Sequence, residues 1–175
     1  MSFIKRLWDS SKVTRIRAYF KNILINGITM SYLMPLHARR LILNVWGCKI
    51  KGTILDRTVI LSNKLFLGEH SFINRNCMIG NGHEYVKIGT NCAIAYGVTF
   101  TTDNHLIDNK NRRGGGIKAE PIVVEDGCWI GANVTILPGT VIKKGCVVAA
   151  GSVVRGVLEQ DSLYAGIPAR KIKEL

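Results

Sequence analysis

Between residues 124 and 154 an aliphatic side chain returns every six positions, at Val124, Ile130, Ile136, Ile142, Val148 and Val154. An interval of six preserves one face of an extended chain and scatters around a helix, so the pattern predicts short strands. Three residues after each of the first five stands Gly127, Asn133, Gly139, Gly145 or Gly151, residue types that enter the left-handed backbone region at little cost. The next position is always small: Cys128, Val134, Thr140, Cys146 and Ser152. Strands joined by such corners predict an all-β solenoid, whose stacked coils bury one aliphatic column that no single repeat buries alone.

Upstream, the same unit is expected at Leu61, Leu67, Ile73 and Ile79, with Asn76 and Gly82 at left-handed corners, and again at Ile88, Ile94 and Phe100 with Asn91 and Gly97. Nine residues separate Ile79 from Ile88, so a three-residue bulge is expected around His83, Glu84 and Tyr85. From Asp103 to Glu120 the corner residues disappear. That segment is expected as an extruded loop, carrying His105, Lys110, Arg112, Arg113, Gly114 to Gly116 and Lys118, and a long loop on so regular a scaffold is where function is usually placed. Ahead of the coils, Phe3, Leu7, Val13, Ile16, Phe20 and Leu24 approximate a helical stripe ringed by Lys5, Arg6, Lys12, Arg15, Arg17 and Lys21. A second helix is expected through Leu36 to Trp46, ended by Gly47. The expected division is an amphipathic helical segment over 1–47, a β-helix over 48–159 with its loop at 103–120, and a tail over 160–175 with a turn at Gly166 to Pro168.

Composition sharpens this picture. The 175 residues are 47% hydrophobic, ample for one core, and the net charge is +12. Residues 1–50 hold nine Lys or Arg against Asp9 alone, so the basic character belongs mainly to the front segment. Such a helix either lies peripherally on an anionic membrane surface or docks on the solenoid or a neighbouring subunit. Nucleic-acid binding lacks any module beyond charge. Ile23 to Met34 is too short and too interrupted to span a bilayer. Cys77, Cys92, Cys128 and Cys146 all fall at the small corner position, which predicts free packing thiols in a reducing cytoplasm. With no CxxC or Cys/His cluster, no metal is expected.

The runs Asn74-Arg75-Asn76, Asp103-Asn104-His105, Pro121 through Gly131, Ile136-Leu137-Pro138-Gly139, Gly151-Ser152-Val153-Val154 and Ala165 through Arg170 resemble the hexapeptide-repeat acyltransferases. Within that family the chain looks most like the sugar O-acetyltransferases that include galactoside and maltose acetyltransferase. The resemblance covers about residues 60–170. It implies a left-handed parallel β-helix, a homotrimer with sites between subunits, and acetyl-CoA-dependent O-acetylation of a carbohydrate hydroxyl. It implies further that His105, which precedes Pro121 by 16 residues and Trp129 by 24, is the general base, with Asp103 as a group able to orient it. Asn76, His83 and Tyr85 are the expected acceptor-side residues, and His83 is the rival base. Acetyl-CoA is expected along Trp129, Gly131, Ala132 and Ala150, its phosphates near Arg155, Arg170 and Lys173. Relatives often carry Thr-Lys where this chain has Arg155-Gly156, which weakens the phosphate assignment there. N-acetylation of an amino sugar and a non-catalytic structural or membrane-associated solenoid are the competing readings. A zinc carbonic anhydrase on the same scaffold needs a His-x4-His pair that this chain lacks.

Overall fold

The computed structural model describes residues 16 and 18–175. It is a left-handed parallel β-helix of about six turns, a triangular prism walled by three parallel sheets. The first sheet stacks Lys49–Ile50, Leu65–Leu67, Val86–Ile88, Ile122–Val124, Val141–Ile142 and Val157–Leu158. The second stacks Thr53–Ile54, Phe72–Ile73, Ala93–Ile94, Trp129–Ile130, Val147–Val148 and Ser162–Gly166, and the third Val59–Ile60, Met78–Gly80, Thr99–Thr101, Thr135–Ile136 and Val153–Val154. Alternate residues of each strand point inward, so columns such as Leu67, Ile88, Val124 and Ile142 lie in register and buried. Six-residue spacing over three walls gives each regular coil its closed circuit.

The corners work as the spacing predicts. Gly127, Asn133, Gly139, Gly145 and Gly151 all have positive φ, as do Asn76, Asn91 and Gly97. The buried Ser71, Cys92, Cys128 and Cys146 form a column at one corner, each donating a hydrogen bond to a carbonyl of the next coil, at Gly89, Glu125, Lys143 and Glu159. All five cysteines are free and buried.

Two expectations about register need correction. Ile60, 1% exposed, takes the inward position instead of Leu61, 44% exposed, because seven residues, not six, separate it from Leu67. Gly82 does not adopt positive φ, whereas Arg57, His70 and Asp161 do; the bulge after Ile79 re-routes the chain before a corner is reached at Gly82.

At the N-terminal end, the helix Leu36–Trp46 closes on Gly47 at φ 109°, as expected. A π-helical stretch, Ile23–Thr29, precedes it. Together they close the exposed edges of the first coil with three side chains. The Asn44 amide exchanges two hydrogen bonds with the backbone of Ile50, and the Asn26 amide does the same with Ile60. The buried Arg39 guanidinium donates to the carbonyls of Ile54, Thr29, Ser31 and Met34. The predicted front helix lies largely outside the described residues. Its described positions Ile16, Phe20 and Leu24 are exposed, so the chain's own coils do not cover the stripe at those three residues. At the other end Ala169–Glu174 folds back antiparallel on Ser162–Gly166. No helix among the described residues is long and apolar enough to cross a membrane.

Candidate functional site

The segment expected as a loop is a β-hairpin. Asp103–His105 pairs antiparallel with Ile117–Ala119, which puts Asp103 opposite Ala119 and His105 opposite Ile117. A bridge from Asn109 to Arg112 closes its tip. It springs from the third sheet near the corner where the chain passes to the first. The His105 backbone N–H donates to Asn104 Oδ1 at 2.8 Å, the imidazole is exposed, and Gly114 at φ 75° passes beside its ring. No side-chain hydrogen bond holds that ring among the described residues.

Asp103 does not orient His105. Its Oδ2 lies 2.9 Å from His83 Nδ1, and its Oδ1 accepts from the Thr102 hydroxyl at 3.0 Å. Burial opposes the carboxylate charge, but the hydrogen bonds from His83 and Thr102 outweigh it, and the group titrates below its ordinary value. The three-residue bulge carries His83 to the hairpin root. Sequence spacing offers no signal for this contact beyond the nine-residue interval itself.

Asn76 sits at φ 59° on a different corner, between the second and third sheets, exposed. Tyr85 turns away from both, its ring packing edge-to-face on Phe66 of the first sheet with centroids 6.1 Å apart.

The residues expected along acetyl-CoA come together for the most part. Trp129, Gly131, Ala132 and Ala150 line one cavity of about 470 Å³ with Tyr96, Ala149 and Leu163. Its rim is Trp129, 57% exposed; its floor is small residues. A Cβ on Gly131 would lie 2.6 Å from the Ala150 amide nitrogen, so the approach of the next coil demands the glycine, and a flat floor results. The strand ladder leads from Trp129 through Val147 and Leu163 to Lys173, and Ala165 pairs with Arg170. Those two cations therefore stand at the end of the wall that bears the trough. Arg155 does not. It borders a separate cavity of about 350 Å³ at the hairpin root, with Thr101, Asp103, Asn104, Glu120, Leu137 and Pro138, because its strand belongs to the third sheet. No group of three or more metal-ligating side chains converges among the described residues.

Residues 121–156 match the family model described as bacterial transferase hexapeptide, six repeats. The chain is 32% identical to the galactoside O-acetyltransferase of Escherichia coli K12 over 113 residues, 65% of this chain and 55% of that protein. It thus spans about half the length of the curated relatives it matches. A hexapeptide-repeat acetyltransferase from Vibrio cholerae, solved in complex with acetyl coenzyme A, is similar with a TM-score of 0.78 at 28% identity, over 96% of this chain and 90% of that one. A maltose O-acetyltransferase from Clostridium difficile gives a TM-score of 0.79 at 27% identity, over 92% and 86%. Repeat, coil and likeness agree: residues 121–156 match the hexapeptide family model, and the chain is similar to galactoside, maltose and related acetyltransferases.

Proposed function

We propose that this protein transfers the acetyl group of acetyl-CoA to a carbohydrate hydroxyl, such as a surface-polysaccharide unit, with His105 as general base. The trough is the observation that carries this reading. An apolar floor of small residues that ends at Arg170 and Lys173 suits a thin arm with a polyanionic end, and a similar protein has been solved with acetyl coenzyme A. A sugar hydroxyl is a feeble nucleophile until an imidazole takes its proton as the oxygen attacks the thioester carbonyl. The imidazolium then protonates the departing thiolate. Transfer is direct, since every thiol is buried. Free thiols also suit a reducing, cytoplasmic setting.

The hairpin bearing His105 and the trough beside Trp129 belong to different corners of the prism. A second copy of the chain brings the two together, which favours a threefold ring with a site at each junction. Asn76 shares the trough's corner and is assigned to the acceptor; Tyr85, turned onto Phe66, is not. The uncovered stripe at Ile16, Phe20 and Leu24 is assigned to the neighbouring subunit in preference to a membrane surface.

Acetyl-CoA at a hundred times its Kd is expected to stabilise the protein by about 2.7 kcal/mol, read as a rise in Tm, and hydroxy sugars are expected to release CoA faster than amino sugars. Absence of both a thermal shift and acceptor-dependent CoA release would remove the reading.

A further inference from the structure

Among the described residues, cations without an ion-pair partner stand on the hairpin side of the site, apart from Arg170 and Lys173 at the end of the trough. In the cavity at the hairpin root both carboxylates are matched: Asp103 faces His83 at 2.9 Å and Glu120 faces Lys118 at 3.3 Å. Arg155 has no such partner. It enters none of the ion pairs among the described residues, and neither do Lys110, Arg112 and Arg113 at the hairpin tip. All four are exposed. The tip's sole acid, Asp108, accepts the backbone N–H of Asn109. Arg170 and Lys173, meanwhile, stand on the second sheet at the end of the trough.

We propose, building on acetyl transfer as the activity, that the acceptor is an acidic oligosaccharide whose sugars carry carboxylate or phosphate groups, and that Arg155 and the tip cations Lys110, Arg112 and Arg113 recognise it. Arg155 holds the charge nearest the reacting hydroxyl. The tip, six residues beyond Asp103, reaches at most about 20 Å from the hairpin root, so it meets later charges of the same chain. Arginine suits this role because its planar fork pairs with either oxyanion. The bulge imidazole of His83 occupies Asp103 Oδ2, which leaves Arg155 the unpaired charge of the cavity among the described residues.

Matched acceptors test this with the full-length protein and acetyl-CoA: galactose against galacturonate, glucose against glucose 6-phosphate, and neutral galactan oligomers against oligogalacturonate. CoA release and isothermal titration are the readouts. The acidic member of each pair is expected to have a kcat/KM at least about tenfold higher at low salt, a gap that closes near about 0.5 M salt. Arg155→Gln is expected to abolish the preference at monomer length. The triple variant Lys110→Ser, Arg112→Ser, Arg113→Ser is expected to abolish the gain with oligomer length, with the Kd for CoA unchanged. A triple variant that loses CoA affinity instead would assign the tip to the nucleotide phosphates and overturn the proposal. Equal rates for matched pairs, or titration in which neither oligomer binds, would also overturn it. Failure of acetyl transfer itself is read separately, as loss of the thermal shift with acetyl-CoA.

Discussion

At the root of the hairpin the Asp103 carboxylate holds the imidazole of His83 and not that of His105. Asp103 on Nδ1 fixes that ring and leaves Nε2 facing outward, an arrangement that orients a base. His105, by contrast, makes no side-chain hydrogen bond among the described residues and is the proposed base. His105→Ala is therefore expected to lower turnover by about 10² to 10⁴ with CoA affinity intact, measured as initial rates and by titration. If that variant turns over normally while His83→Ala does not, the base is His83. The Asp103 carboxyl titrates below its ordinary value in the folded protein, so the stability it lends is present above a pH of about 4 and lost as the pH falls through the depressed value. Denaturation midpoints of wild type and Asp103→Asn should differ at neutral pH and converge in acid. The pairing of Asp103 with His83 was not legible in the sequence, since the partners lie 20 residues apart in two segments without periodicity. His105 itself was readable only by its resemblance to a motif.

The elements divide into those whose corners announce themselves and those whose corners do not. From Val124 to Val154 each glycine or asparagine at positive φ marks a turn, and the register follows without error. Before Ile73 the left-handed corners fall on Arg57 and His70, side chains that rarely adopt that backbone, so the first coils could not be counted from residue type. The helix Leu36–Trp46 was legible in the sequence, yet the purpose of the N-terminal elements resides in polar atoms that no hydrophobic period records. Arg39 illustrates this. Burial lowers the pKa of its guanidinium, while Asp56 works the other way, and its hydrogen bonds end on four carbonyls. Arg39→Leu leaves those oxygens without a donor and is expected to cost about 3 kcal/mol, seen as a lower denaturant midpoint with the β-helix circular dichroism retained below it.

At the scale of the whole molecule, the proposed threefold ring, with a base on one corner and a trough on the next, makes a lone chain half of two sites. Two inactive variants should then rescue one another. His105→Ala removes the base, and Ala150→Trp fills the trough from an exposed position that leaves the core alone. Co-refolded in equal amounts as trimers, they are expected to restore about one site in four, because random assembly joins an intact hairpin to an intact trough at that frequency. Sedimentation should report the trimer, and mixtures that stay dead would return the whole site to a single chain. The two ends of the prism have a consequence of another kind. A coil that stops at an open wall invites the next molecule to continue it, which is how parallel strands seed fibres. Asn26, Arg39 and Asn44 occupy that docking edge at the front, and the reversed strand Ala169–Glu174 offers the wrong polarity at the rear. The front edge is thereby closed on all three walls and the rear edge on one, which opposes end-to-end growth of the coil.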